Sequence, residues 1–377
     1  MRRVYLDYNA TTPLAPEAAA AMIDALRDLP GNPSSIHREG QRARAAVEQA
    51  RRRVAELIGA DFTEIVLTSG ASEANNIAVA ALGERGPLLT TAIEHPSVLA
   101  PAQRLAEVVR AQPGPHGELP EVPALIAQAE AAGVRGVSVM LANNETGNVL
   151  PVAQFARAAR ERGWWVHCDA TQAVGKIPVD VEALGVDLLS LSSHKLYGPK
   201  GVGALYVRAG LELPPMIVGG HQERGRRAGT ENVAAIVGMG EAARISAQLD
   251  LAAEAARQQE LREALWAGIQ AIEPGAHRQG LTDPALPNTL NVRFPGVDGE
   301  TLLMNLDLEG IAVSAGSACS AGSLEPSHVI LAMGVPYDEA RGSVRFSLGR
   351  PTTEEEIQLV LKRLPVVLER TRSLAWG

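Results

Sequence analysis

The sequence predicts an α/β protein with a large domain built on a mostly parallel sheet flanked by helices, joined to a smaller α+β domain. Three observations predict it. Between Glu64 and Val207, short apolar runs alternate with helical patterns, the arrangement that gives parallel strands joined by helical crossovers. At 377 residues the chain exceeds the size at which a single core usually stops growing, so a second unit is expected. Chemically distinctive residues also recur where the apolar runs stop, and in a parallel sheet that edge is where ligands bind.

Composition narrows the class. Hydrophobic residues at 46% suffice for a packed core, and 21% charged residues with no polar tract argue against disorder. A net charge of -8 implies no general nucleic-acid surface. No apolar run approaches the ~20 residues needed to span a bilayer. The start Met1-Arg2-Arg3-Val4-Tyr5-Leu6-Asp7 lacks a signal-peptide core, so a cytoplasmic protein with no membrane partner is expected. Cys168 and Cys319 lie in unlike settings, which argues against a structural disulfide in that compartment. A metal site at His167-Cys168-Asp169 is not expected either, because adjacent strand residues point to opposite faces.

In chain order, residues 5–13 form an extended segment ending at Pro13, and residues 16–29 a helix. The Gly31-Asn32-Pro33 break precedes an amphipathic helix over 38–58, with Ala43, Ala46, Val47, Ala50, Val54, Leu57 and Ile58 at helical spacing. Residues 64–68 are a strand, and Ser69-Gly70-Ala71-Ser72 turns into a helix. Free N–H groups at such a helix start hold anions, and Ser72 adds a hydroxyl, a residue type that also caps helices.

A second strand from Leu88 ends at His95 before Pro96. Residues 134–141 make a third, which stops at Asn143-Asn144, a pair that could equally be a turn. A helix over 152–162 leads to a fourth strand, 164–168, which delivers Asp169. The crossover 171–184 returns to strand 186–191, which carries Ser192, Ser193, His194 and Lys195 ahead of Gly198-Pro199; residues 203–207 form one more strand.

The loop 221–230, rich in arginine and glycine, is either a solvated turn or an anion contact. A long helical stretch over 242–272 bridges to the smaller domain. There, strand 288–294, helix 299–308, extended residues 311–314, strand 343–348 and a closing helix 353–374 follow. Between them, small residues over 315–323 surround Cys319.

The lysines sharpen the chemistry. There are four, Lys176, Lys195, Lys200 and Lys362, in a chain that otherwise uses arginine for its cations. An arginine cannot lose its proton and so cannot form a Schiff base, whereas a lysine can. A lone lysine after a strand is ordinarily a surface residue. Here Ser72, His95, Asn144, Asp169 and Lys195 all fall at strand ends. An amine for a Schiff base, an aspartate to keep a pyridinium protonated and a helix start for a phosphate are the parts that pyridoxal 5'-phosphate requires. With aromatics at 3% and none at those ends, His95 is the planar group available to stack on a ring.

Nine segments then carry a family resemblance, in order along almost the whole chain. They are Tyr5-Leu6-Asp7-Tyr8-Asn9-Ala10-Thr11-Thr12-Pro13, Thr68-Ser69-Gly70-Ala71-Ser72-Glu73, Glu94-His95, Asn143-Asn144-Glu145 and His167-Cys168-Asp169-Ala170-Thr171-Gln172. Ser192-Ser193-His194-Lys195-Leu196-Tyr197-Gly198-Pro199-Lys200-Gly201, Arg227-Ala228-Gly229-Thr230, Ser317-Ala318-Cys319 and Arg345-Phe346-Ser347-Leu348-Gly349-Arg350 complete the set. The chain resembles the cysteine desulfurases of the NifS/IscS type, within the class V aminotransferase superfamily.

The resemblance implies the pyridoxal phosphate transferase fold type I, with a seven-stranded sheet. It implies a large cofactor-binding domain over 16–248 and a small domain over 1–15 and 249–377 that carries a mobile cysteine loop. Lys195, Cys319 and His95 would be catalytic: Lys195 anchors the cofactor and shuttles a proton, His95 stacks on the ring and exchanges protons, and Cys319 takes the sulfur as a persulfide. Asp169 would pair with the ring nitrogen and Gln172 with the ring 3-hydroxyl oxygen. Gly70, Ala71, Ser72, Ser192 and His194 would hold the phosphate, with Thr230 reaching it from the partner subunit of a homodimer. Asn144, also beside the cofactor, would grip the substrate carboxylate with Arg345, and Asn9 would assist.

The implied reaction converts L-cysteine to L-alanine and passes sulfur to an acceptor for iron-sulfur cluster assembly or another sulfur-containing product. Two readings stay open beside it. One is another enzyme of the same fold, such as a selenocysteine lyase or an aminotransferase, though the latter needs no thiol. The other is a cofactor-free sulfur carrier, against which Lys195 and Asp169 speak.

Overall fold

The computed structural model describes residues 3–315 and 325–374, so Cys319 lies outside the described residues. The strands are β1 (Val4–Tyr5), β2 (Ile65–Thr68), β3 (Leu88–Thr91), β4 (Val108–Ala111), β5 (Gly136–Met140), β6 (Trp165–Asp169), β7 (Leu188–Ser192), β8 (Gly203–Val207), β9 (His277–Gln279), β10 (Thr289–Arg293), β11 (Ile311–Ala312) and β12 (Ser343–Ser347).

The central sheet has seven strands in the order β2-β8-β7-β6-β5-β3-β4. All run parallel except β8, which is antiparallel to both β2 and β7. Its inner strands are buried on both faces, which is why they read as continuous apolar runs rather than alternating ones. The helices Pro16–Asp28 and Arg38–Leu57 both pack on Val233–Ala247. Close approach there requires glycine: a Cβ on Gly240 would sit 2.5 Å from Ala50 Cα.

The C-terminal part builds a second core. The antiparallel sheet β12-β10-β9 and the parallel pair β1-β11 bury Val4, Leu6, Leu290, Val292 and Phe346 against Leu265, Ile269 and Leu364 of the helices Leu251–Ile272 and Glu354–Leu374. Val329, Ile330 and Met333, which follow residue 325, belong instead to the larger core around Val137, Val139, Leu189 and Leu191. The N-terminal segment runs from β1 past Ser347, and Asn9 N donates to Ser347 Oγ at 3.0 Å, which carries Asn9 to the seam between the two cores.

One expected element is corrected. The helical stretch over 242–272 is two helices, Val233–Ala247 and Leu251–Ile272. Asp250 breaks it, since its side chain accepts from Ala253 N as an N-cap. Strand β4 was not anticipated; it is short and its first three residues are not fully buried, so it lacks an apolar run. No helix among the described residues is long and apolar enough to cross a membrane.

Candidate active site

At the carboxyl ends of the parallel strands opens a cavity of about 840 Å³. Its walls include Asn9, Gly70, Ala71, Ser72, His95, Asn144, Asp169, Gln172, Ser192, His194, Lys195 and Arg345. The sequence reading had singled out each of these. Thr230, expected to reach a phosphate from the partner subunit, is exposed and lies outside this chain's own cavity.

After β7 a 3-10 turn, Ser193–Lys195, swings Lys195 inward, and its Nζ donates to Asn9 O at 2.5 Å and Ala10 O at 2.7 Å. The turn is clamped by the N-terminal segment: Thr12 N donates to His194 O, and Tyr197 N donates to Thr12 Oγ1 at 2.8 Å. Tyr197 holds φ 64°, a backbone strain that these bonds and Arg350 N, which donates to Tyr197 Oη at 2.7 Å, keep in place.

Asp169 ends β6 and is 5% exposed. Its Oδ1 accepts from Thr171 N and its Oδ2 from Asn75 Nδ2 at 2.7 Å. Asn75 also donates to Ser97 Oγ at 2.8 Å, and Ser97 Oγ contacts His95 Nδ1 at 2.7 Å, so one chain of polar contacts joins the carboxylate to the imidazole. Burial pushes His95 below the usual histidine value; Asp169 opposes that, while Lys195 and His328 add to it. Asn75 was missed in the sequence, although an asparagine among the apolar residues of an amphipathic helix was the available signal.

At the other end, Gly70 precedes the helix Ala71–Gly83 with φ 152°, a conformation that favours glycine. A Cβ on Gly203 would lie 2.7 Å from Gly70 Cα, so β8 abuts the turn backbone to backbone. The helix start leaves its first N–H groups without partners within the helix, at a wall of the cavity that Ser72, Ser192 and His194 also line. His194 Nδ1 contacts Thr11 Oγ1 at 3.2 Å; burial, followed by Lys195 and Lys200, lowers its pKa to about 4. A neutral imidazole there is a hydrogen-bond partner rather than a charge.

Arg345 is 1% exposed, with Nη2 2.8 Å from Asp7 Oδ1 and Nη1 donating to Asn144 O at 3.0 Å. Its Nε is buried and has no partner among the described residues. Asn9 is a junction. Its Nδ2 donates to Thr289 Oγ1 and Asn144 O, and its Oδ1 accepts from Asn288 Nδ2 and Lys176 Nζ.

Other expected residues resolve into structure. Asn143 makes the turn, its Oδ1 accepting from Glu145 N and Thr146 N, which leaves Asn144 to the cavity. Cys168 is fully buried, and burial with Asp169 and Glu94 pushes its thiol well above the ordinary value, as an inert core thiol requires. In the arginine loop Arg227 pairs with Glu73 and Arg224 Nη1 donates to Thr63 O, while Arg224, Gly225, Gly229 and Thr230 stay exposed, as in a turn that is partly solvated. Buried Glu94, half-buried Lys176 and cavity-lining His328 are further groups without a role in the sequence reading.

The aminotransferase class-V family profile matches residues 4–360. A cysteine desulfurase of Enterobacter agglomerans is 46% identical over 385 aligned residues, covering 100% of this chain and 95% of that protein. The solved structure of a NifS-like protein matches with TM-score 0.89 at 37% identity, over 98% of this chain and 100% of that one. A structure of SspA in complex with cysteine matches with TM-score 0.79 at 35% identity, over 92% and 99% of the two chains.

Proposed function

Because this chain belongs to the class-V aminotransferase family, and within it to the pyridoxal-phosphate-dependent cysteine desulfurases, we propose that its cavity converts L-cysteine to L-alanine with Cys319 as the sulfur acceptor. The observation that carries the assignment is that Lys195, Asp169 and His95 line one cavity. The donor set fits the cofactor: a lysine for its aldehyde, a buried carboxylate for its ring nitrogen, and a helix start with Ser72, Ser192 and His194 for its phosphate. Bound there, pyridoxal phosphate supplies an electron sink that stabilises negative charge at the substrate Cα.

The chain's own residues do the rest. Lys195 holds the cofactor and moves the Cα proton, and His95, kept from protonating by burial, takes or returns a proton at the substrate. Gln172 would donate to the cofactor's ring oxygen. Arg345 holds the substrate carboxylate, and its partnerless Nε supports that role, because a buried donor without an acceptor is costly unless a ligand supplies one. Asn9 and Asn144 fix the same side. The Cys319 thiolate forms a bond to the substrate sulfur as the sulfur–Cβ bond breaks; the electron pair stays on carbon, which is protonated to alanine.

Residues 16–248 are taken as the large domain and residues 1–15 with 249–377 as the small one; the break ahead of Asp250 and the separate core around Leu265 and Phe346 support this. A homodimer is part of the reading, supported by the exposed position of Thr230 outside the cavity and by exposed Ile23, Leu26 and Ile36. The persulfide then passes to a protein acceptor such as an iron-sulfur scaffold, in the cytoplasm. The test is incubation with L-cysteine, followed by assay of alanine and of persulfide on Cys319. Equimolar alanine and a Cys319 persulfide are expected. Cys319→Ser should bind cysteine and release no sulfide under reductant, whereas sulfide at the original rate in that variant would overturn the role of Cys319.

A further inference from the structure

Lys176 is one of the four lysines, and nothing in the proposed chemistry uses it. It lies in the turn after Asp169, and its amine reaches two groups already placed beside the cofactor: Nζ is 2.6 Å from Gln172 Oε1 and 2.9 Å from Asn9 Oδ1. The shared neighbour Asn9 ties it to the reactive amine, since Asn9 O accepts from Lys195 Nζ at 2.5 Å and from Gln172 Nε2 at 2.9 Å.

A side-chain amide has an oxygen end that only accepts and a nitrogen end that only donates, and it can be turned end for end at little steric cost. Nothing in Gln172 itself chooses between the two orientations. The wrong choice would aim a carbonyl at an anionic ring oxygen. We propose that Lys176 is a positioning residue that fixes the Gln172 amide with its nitrogen toward the cavity and, through Asn9, holds the backbone carbonyl that steadies Lys195. The inference rests on the reading of the cavity as a pyridoxal phosphate site.

The donor and acceptor count supports it. Lys176 offers hydrogens to both contacts, so the atoms facing it must be oxygens, Gln172 Oε1 and Asn9 Oδ1. Gln172 Nε2 then keeps two hydrogens; one goes to Asn9 O, and the other is left for a group in the cavity that Gln172 lines. Asn9 is set in the same way, because Asn288 Nδ2 also donates to its Oδ1 at 3.1 Å and its Nδ2 is turned to Asn144 O and Thr289 Oγ1. Burial, followed by the positive charges of Lys195 and Arg345, pushes Lys176 well below the ordinary lysine value; a neutral amine still has two hydrogens for the two contacts, and the choice of amide orientation is strict in the ammonium form, which has no lone pair to accept from Gln172 Nε2. An arginine, the cation used elsewhere in the chain, stays charged and is bulkier.

The experiment is a double-mutant cycle on the holoenzyme with Lys176→Met, Gln172→Leu and the pair together. It reads the pyridoxal phosphate dissociation constant and the induced circular dichroism of the bound-cofactor band near ~420 nm. Lys176→Met is expected to weaken cofactor binding about tenfold, the loss of roughly one buried hydrogen bond, and to diminish the dichroism. In the Gln172→Leu background the same substitution should cost clearly less than tenfold, the remainder being the part carried through Asn9. Unchanged binding and dichroism in Lys176→Met, or losses that multiply in the double variant, would overturn the proposal. If Lys176→Met does not fold, Lys176→Gln takes its place in the same cycle. Should the unsubstituted chain bind no pyridoxal phosphate, the cofactor reading itself fails and the proposal with it; binding in that chain isolates the test to Lys176.

Discussion

Two arginines are almost wholly enclosed, and they are enclosed differently. Arg51, 5% exposed on the helix Arg38–Leu57, has every nitrogen engaged: Nη1 and Nη2 grip Glu223 side by side, Nη1 also donates to Ile65 O, and Nε to Glu48. Glu223 in turn accepts from Leu67 N at 2.8 Å, so the pair staples the arginine loop to β2. Arg345, at 1% exposure, meets Asp7 and a carbonyl but leaves Nε without a partner among the described residues. A structural pair saturates its hydrogen bonds, while a binding group keeps one in reserve. The difference separates the two in a way that burial, charge and residue type do not.

Breaking the saturated pair should have the largest effect. Arg51→Met leaves Glu223 buried with a charge and one backbone donor, and removal of one partner from a buried pair costs about 3–5 kcal/mol. Denaturant unfolding should show that loss, while KM for cysteine in the folded fraction stays unchanged. A stability change near zero would mean the pair is solvated in solution and the contrast with Arg345 is unfounded.

Arg345→Lys should do the reverse. An ammonium can keep the contact with Asp7 but has no planar fork, so kcat/KM for cysteine is expected to fall on the order of 10²-fold, mostly through KM, with the melting temperature little changed. Equal activity with lysine would show that the spare Nε is not the carboxylate contact.

The contrast also shows what the sequence carries. Lys195, Asp169, His95 and Ser72 are legible because an apolar run stops abruptly at a polar residue, a signal contained within ten residues. Asn9 and Arg345 are not legible in that way. They reach the cavity through pairings such as Asn9 with Ser347, separated by 338 residues, and they entered the reading through the family resemblance alone. Asn75 and Lys176 escaped both routes, since each acts through a neighbour: Asn75 meets Asp169 across 94 residues and Lys176 meets Asn9 across 167. The alternation of strands and helices was legible nearly throughout. The exceptions include the edge strand β4, which is too exposed for an apolar run, the helices Pro96–Ala102 and Val122–Ala131, the short strand β9, the short helices His328–Ala332 and Tyr337–Ala340, and the break before Asp250, where one capping side chain outweighs an uninterrupted helical pattern.

Glu94 gives the third test, the smallest per pH unit, because it is a buried carboxyl with no ion-pair partner among the described residues. Its Oε1 accepts from Thr91 Oγ1 and Met140 N, its Oε2 has no partner there, and burial raises its pKa to about 8, with Asp169 adding to the rise. Where Glu223 meets an arginine, Glu94 stays protonated. A carboxyl whose folded value lies above its unfolded value contributes stability that is fully present below about 4.5 and is lost as pH rises to about 8. Glu94→Gln removes the titration but keeps the shape and the acceptor. The variant should therefore gain on the unsubstituted protein between pH 5 and pH 8, by at most about 1.4 kcal/mol per pH unit. Denaturant midpoints measured at each pH check this. Parallel curves for the two proteins would mean that Glu94 is ionised in the fold and that a cation or water reaches Oε2.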